Sequence, residues 1–177
     1  MTERFYFKKA VWGIVCSVFL VFLDQISKYA AVRYLRGQEP FVLIDGVFEL
    51  RYLENRGAAF GILQNKQIFF VCITLIALLL IAYIYIKKIP TERRFVWLNL
   101  VALLFFSGAI GNLIDRLTQN YVVDFFYFRL IDFPIFNVAD IYVTVGAALM
   151  IGLMFFYYRE EDFDQIFPHN PAGTFRI

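Results

Sequence analysis

The chain has 177 residues, 60% of them apolar, 20% aromatic and 18% charged, which excludes a disordered segment, a collagen-like repeat and a solvated linker. A formal net charge of +2, with the basic residues spread along the chain apart from one short link, gives no argument for nucleic acid as a partner. The apolar residues are gathered into blocks, not scattered at the spacing of a soluble fold, so the sequence reads as one integral membrane domain over 1–177.

The first block, 10–23, holds no Asp, Glu, Lys or Arg but is too short to cross a bilayer, which takes about 20 helical residues. A helix continuing through Asp24, Gln25 and Lys28 to about 32 is long enough, and carries those polar groups to the surface or into a bundle interior. A cleaved secretory signal is the alternative here, because Arg4, Lys8 and Lys9 precede the block. Asp24 and Lys28 suit a retained helix better. They stand four apart and share a helix face, where they can pair.

Residues 41–63 are too rich in Val, Ile, Phe and Tyr for a plain loop, and Asp45-Gly46 between two apolar runs predicts a hairpin. Its second arm alternates, with Phe48, Leu50 and Tyr52 on one face and Glu49 and Arg51 on a wet one. We expect a small sheet resting on the membrane surface. The arm runs into Asn55-Arg56-Gly57-Ala58-Ala59-Phe60-Gly61, whose small residues allow a close backbone approach or simply a tight re-entrant turn.

Two further uncharged blocks predict helices over about 68–86 and 95–116. The second ends in Asn112, Asp115 and Arg116; Asp115 with Arg116 reads as a structural pair. The connection 121–137 is crowded with aromatic rings and is expected to hug the bilayer interface. A fourth helix, about 138–158, opens on Asn137 and Asp140. There Asp140, Thr144, Ala147 and Ala148 share a face on which a neighbour can approach closely. Asp140 can also serve merely as a helix N-cap or a dipole partner, the lesser of the two readings. The tail 159–177, acidic from Glu160 to Asp164, is expected to be a solvated end.

Orientation follows from basic residues. Arg4, Lys8 and Lys9, with Lys87, Lys88, Arg93 and Arg94, crowd two short segments on one side. The other side spreads Arg33, Arg36, Arg51, Arg56, Lys66 and Arg129 over far more chain, so both termini are expected to be cytoplasmic. Cys16 and Cys72 lie in apolar blocks and read as buried thiols.

The ionisable groups at membrane depth gather at the outer helix ends, where unpaired polar groups are costly and face the bundle interior. The sole histidine, His169, lies in the tail, so neither a Ser/His or Cys/His arrangement nor a zinc-binding HExxH can be built. A Ser27/Lys28 dyad is disfavoured because adjacent helical residues diverge by about 100°. Asp124 and Asp140 have no basic neighbour in sequence. Brought together, one keeps a proton and the other stays charged, supplying an acid and a base for peptide hydrolysis.

Five motifs then resemble one family, the bacterial lipoprotein signal peptidases (signal peptidase II): Asp24-Gln25-Ile26-Ser27-Lys28, the Asn55–Gly61 run, Gly108-Ala109-Ile110-Gly111-Asn112-Leu113-Ile114-Asp115-Arg116, Val122-Val123-Asp124-Phe125 and Phe136-Asn137-Val138-Ala139-Asp140. The resemblance implies an all-α membrane protein of four transmembrane helices with a small extracytoplasmic β-sheet or cradle, in the bacterial cytoplasmic membrane. It implies an aspartic endopeptidase that cuts prolipoproteins before a diacylglyceryl-modified cysteine, with Asp124 and Asp140 catalytic. Supporting roles fall to Asp24, Lys28, Asn55, Gly57, Ala59, Phe60, Asn112, Arg116, Asn137 and Ala139. Lipidated signal peptides and membrane lipid are the implied partners of a monomer with no metal or organic cofactor. Ser107 and Phe133 stand where many relatives have Gly and Trp. The rival readings are a small proton or ion carrier using the same aspartates, and a lipid-binding scaffold.

Overall fold

A computed structural model describes residues 2–57 and 66–167. Ala59 and Phe60, like His169, lie outside them. Helix α1 (Thr2–Leu35) is unbroken for 34 residues, about 50 Å at 1.5 Å per residue, longer than the roughly 30 Å of a hydrocarbon core. Helix α2 (Gln67–Tyr83) winds into a π turn at Ile84–Lys88 and stops before Pro90, where a helix cannot continue. Helix α3 (Val96–Gln119) follows a 3-10 turn at Arg93–Phe95 and ends on Asn120, which takes the left-handed conformation at φ 62°. Helix α4 (Val138–Phe156) starts from Asn137, whose side chain accepts the Asp140 N–H in a capping box. Among the described residues, these four helices are long and apolar enough to cross a membrane. Their outward residues, Phe19, Phe22, Ile76, Leu79 and Phe155 among them, are bare apolar surface suited to lipid.

Helix α3 is the central post, packed against α1, α2 and α4. Small residues set the α3/α4 spacing: Gly108 lies against the Ala139 carbonyl and Val143, and Gly146 against Phe105 and Leu104. The close face of α4 is therefore Ala139, Tyr142, Val143 and Gly146. The expected face is displaced, since Thr144 and Ala148 are exposed.

Strands β1 (Phe41–Ile44) and β2 (Phe48–Asn55) form the expected hairpin, with Gly46 at φ 68° in its turn. A third strand, β3 (Val122–Phe128), pairs antiparallel with β2, from Phe48 opposite Phe128 to Asn55 opposite Val122. The aromatic connection is thus part of the sheet and not merely a surface-hugging loop. Its return half folds back through a bridge between Phe126 and Phe136, with the Phe126 N–H donating to the Phe136 carbonyl at 2.9 Å. That bridge sets Asn137 beside β3. Glu49 departs from the wet face assigned to it: it is 5% exposed, opposite Tyr127, with Arg129 at 3.7 Å.

At the end of the bundle opposite the sheet, Ile89, Phe95, Val101, Ala102, Leu153, Tyr158 and Ile166 form an apolar cluster. Part of the expected solvated tail belongs to it. Residues Glu160–Ile166 form helix α5, with Ile166 buried, Phe163 packed on the cluster and Asp162 forked by Arg94. The Arg94 guanidinium holds the Asp162 carboxyl below the usual carboxylate range, so the latch is fully engaged at neutral pH and weakens as pH falls through that lowered value. Arg94→Ala is expected to release α5: amide exchange over 160–166 accelerates at least about tenfold while catalysis is unchanged. Undiminished protection in the variant would show that apolar packing alone holds the helix.

Candidate active site

Each side chain at the sheet end of the bundle is delivered by a different element. The spacing of four in α1 puts Asp24 and Lys28 on one face turned toward α3, where they pair at 2.9 Å. Both are buried, yet neither is left unsatisfied. The Asp24 Oδ1 accepts the Ala139 N–H at 2.9 Å, tying α1 to the first turn of α4. Lys28 also meets Asp115 at 3.2 Å and donates to Asn112 Oδ1 at 2.9 Å.

The expected Asp115–Arg116 pair is not what forms. Asp115 points to Lys28 and accepts the Val123 N–H at 3.0 Å, because neighbouring positions on a helix face different ways. Arg116 turns the other way, with contacts to the carbonyls of Asn112 and Gly57 at 3.4 and 3.5 Å and its guanidinium over the Phe70 ring.

Asp124 comes from β3, opposite Leu53 of β2, and Asp140 from the first turn of α4. All four of their carboxylate oxygens accept hydrogen bonds from N–H groups. Asn137 Nδ2 donates to Asp124 Oδ1 at 2.6 Å and Asn55 Nδ2 to Asp124 Oδ2 at 2.9 Å. Asn112 Nδ2 donates to Asp140 Oδ1 at 2.8 Å and the Asn137 backbone N–H to Asp140 Oδ2 at 3.1 Å. Asn137 therefore bridges the two acids, by its amide on one side and its backbone on the other. Asn55 is itself fixed by accepting the Gly57 N–H at 3.0 Å.

Among the described residues the ion pairs join Lys28 to Asp24 and Asp115, Glu54 to Arg36 and Arg56, Arg94 to Asp162, and Arg129 to Glu49. Asp124 and Asp140 stand outside that set. Burial, and then the charge of Asp140, push the Asp124 carboxyl up to about 7, against the pull of Asn55, Asn137 and Lys28.

Both acids line one cavity of about 790 Å³. Asn55, Gly57, Asn112 and Arg116 share its wall, Arg51, Glu54 and Asp132 add charge, and Ile141, Val143, Thr144 and Val145 continue it along α4. Polar chemistry at one end of an apolar wall suits a substrate with a peptide part and a greasy part. Among the described residues no three His, Cys, Asp or Glu side chains converge as metal ligands.

The polar residues singled out in the sequence gather at this end of the bundle, with two connections that the sequence does not predict. Gln25 Nε2 lies 3.1 Å from each of Asp24 Oδ2, the Gly111 carbonyl and Asp115 Oδ1, inside the bundle and not at the surface, the two places the sequence left open to it. Asp115 pairs with Lys28 and not with the expected Arg116. The available signal was Gln25 itself, a polar group at membrane depth that needs partners inside the bundle.

The sequence model described as Signal peptidase (SPase) II matches residues 16–156. The chain is 46% identical over 145 residues to a lipoprotein signal peptidase of Caldanaerobacter subterraneus subsp. tengcongensis, covering 81% of this chain and 96% of that one. It is 42% identical over 155 residues to one of Clostridium tetani, covering 85% and 95%. Two solved structures, each of a bacterial membrane enzyme studied by the in meso method, superpose on it. One has a TM-score of 0.74 at 33% identity over 89% of this chain and 93% of its own. The other has a TM-score of 0.72 at 35% identity over 82% and 94%.

Proposed function

The chain belongs to the signal peptidase II family, and from that premise we propose that it is an aspartic endopeptidase that removes the signal peptide of prolipoproteins by cutting before a diacylglyceryl-modified cysteine. The observation that carries the aspartic reading is the site's electrostatics. Asp124, buried, and Asp140, half-buried, have no ion-pair partner among the described residues, are bridged by Asn137 and line the same cavity.

The division of labour follows from their surroundings. Asp124 sits on a strand and, with its carboxyl pushed up to about 7, still binds a proton as pH approaches neutrality, so it is the acid assigned the shared proton. Asp140 sits in the first turn of α4, where the helix terminus favours a negative charge. Asp140 takes a proton from a water molecule as the water oxygen bonds to the scissile carbonyl carbon. Asp124 gives its proton to the carbonyl oxygen, and collapse of the tetrahedral intermediate breaks the C–N bond with a proton returned to the leaving nitrogen. Asn112 and Asn137 hold the acids in register. Arg116, at the cavity wall, is placed to take a substrate carbonyl. Asp24 and Ala139 fix the start of α4, and Asn55 with Gly57 braces Asp124.

The substrate enters sideways from the bilayer, its peptide under the sheet and its acyl chains along the apolar wall at Ile141, Val143 and Val145. By the density of basic residues, both termini are cytoplasmic and the sheet and acids lie at the extracytoplasmic face. The enzyme acts as a monomer.

The test uses purified protein in detergent with a diacylglyceryl-bearing precursor peptide and an unlipidated twin. At about 0.8 kcal/mol per buried methylene, seating even a few carbons of chain favours the lipidated peptide by at least about 100-fold in kcat/KM. Equal processing of the two peptides would overturn the assigned specificity.

A further inference from the structure

Lys28 is 3% exposed and touches neither acid of the proposed dyad. Its ammonium nevertheless has three placed partners: Asp24 Oδ2 at 2.9 Å, Asp115 Oδ2 at 3.2 Å and Asn112 Oδ1 at 2.9 Å. Two carboxylates satisfy a buried cation electrostatically. The third contact, to a neutral carboxamide, is the one that charge balance does not require.

We infer that Lys28 is a positioning residue, which by donating to Asn112 fixes the end of that carboxamide presented to Asp140; the inference rests on the dyad reading above. An ammonium has donors and no acceptor. Asn112 must therefore turn its oxygen toward Lys28. The second lone pair of that oxygen takes Asn137 Nδ2 at 3.1 Å, which leaves Asn112 Nδ2 to donate to Asp140 Oδ1 at 2.8 Å. Asn137 is ordered in turn. Its Nδ2 serves Asn112 and Asp124, so its oxygen faces the α4 backbone and accepts the Asp140 N–H at 3.1 Å. The buried cation thus sets the polarity of Asn112, in agreement with the polarity that the Asp140 N–H gives Asn137, and together the two amides put N–H donors on both acids.

Without the Lys28 donor the Asn112 oxygen keeps only Asn137 Nδ2, so the amide is held against turning over by one neutral contact at its oxygen, and the turned-over form sets that oxygen against Asp140. That arrangement is tolerable only if Asp140 is protonated, which removes the base. The acid limb of the pH profile of kcat then moves to higher pH. The charged groups around the amide chain are Asp24 on α1, Asp115 and Arg116 on α3, Asp124 on β3 and Asp140 on α4. Deleting Lys28 alone would also leave Asp24 and Asp115 unbalanced and push the limb the same way. A variant that holds the local charge constant separates the two causes.

In K28M/D115N one positive and one negative charge leave together. Asp24 Oδ2 retains Gln25, and an Asn at 115 can still accept the Val123 N–H. Relative to the parent enzyme, kcat on the lipidated peptide is expected to fall about 10- to 100-fold, the range for losing a donor to a charged group. KM stays within about threefold and the acid limb rises by about one pH unit. An unmoved limb, or a loss of kcat no larger than the loss of folded protein, would overturn the inference. If K28M/D115N does not fold, K28Q/D115N is read instead. Gln offers Asn112 either end of its own amide, so the limb moves the same way by less, and an unmoved limb again overturns the proposal. D124N is assayed beside them: cleavage by D124N defeats the dyad itself, whereas an inactive D124N with an unmoved limb defeats only the role given to Lys28.

Discussion

Asp124→Asn is expected to lower kcat by about 10⁴-fold or more, the scale of removing one member of a group that acts as a unit, and Asp140→Asn to do the same. Asn matches Asp in shape but can neither take a proton from water nor hold the shared one. The two losses should not multiply in the double variant, because either acid alone is useless. The parent rate should fall on both sides of an optimum, since one proton too many silences the base and one too few removes the donor. Stability should move against activity. The Asp124 carboxyl is raised from 3.8 to about 7, so its ionisation penalises the folded state progressively as pH climbs through that window, fully above it and not at all below about pH 4. D124N should therefore melt at a higher temperature than the parent at pH 8 and at the same temperature near pH 4. A lower melting temperature at pH 8 would mean that the charged acid is a structural asset, and cleavage by either single variant would end the aspartic mechanism.

How much of this could be read beforehand depends on how local each signal was. The membrane spans were legible because a helix in lipid cannot carry exposed charge, so uncharged runs mark it directly. The hairpin was legible because Asp45-Gly46 demands a particular turn. The Asp24–Lys28 pair was legible from a spacing of four on one helix. What failed was non-local. Val122–Phe128 is nearly continuous in apolar residues, so it shows no alternation that would mark a strand, and only the edge of β2 turns it into one. Glu49 is buried because that third strand and Arg129 cover it. Helix α5 docks because Arg94 waits for Asp162 far along the chain. Asp115 found Lys28 across a helix interface that sequence distance does not reveal. The two acids were legible as candidates only by elimination and resemblance. Their amide bridge through Asn137 needed the return of the connection at Phe136 to exist first.

Gly108→Val should be the most damaging apolar substitution in the bundle. A Cβ at 108 would lie 2.6 Å from the Ala139 carbonyl oxygen and 2.8 Å from Val143 Cγ2. The first obstacle is backbone and cannot rotate aside, so α4 must move. The intrinsic helix preference gained by replacing Gly is at most about 1 kcal/mol, whereas overpacking a close interface costs about 1–3 kcal/mol or more; destabilisation wins. The displacement falls on the first turn of α4, the turn that carries the Ala139 N–H bound by Asp24 and the Asp140 carboxylate bound by Asn112. A shift of about 1 Å there is enough to cost roughly 100-fold in rate. Gly111 is under the same constraint from the Asp24 carboxylate and Ala139 Cβ, so Gly111→Val should fail similarly. Gly152, on the same α4 helix, has nothing within 4 Å of its Cβ position. Gly152→Ala should therefore leave cleavage intact and raise the melting temperature slightly through propensity alone. If Gly108→Val and Gly152→Ala prove equally harmless in detergent, α4 is held by something other than close contact with α3, and the placement of Asp140 does not depend on that contact.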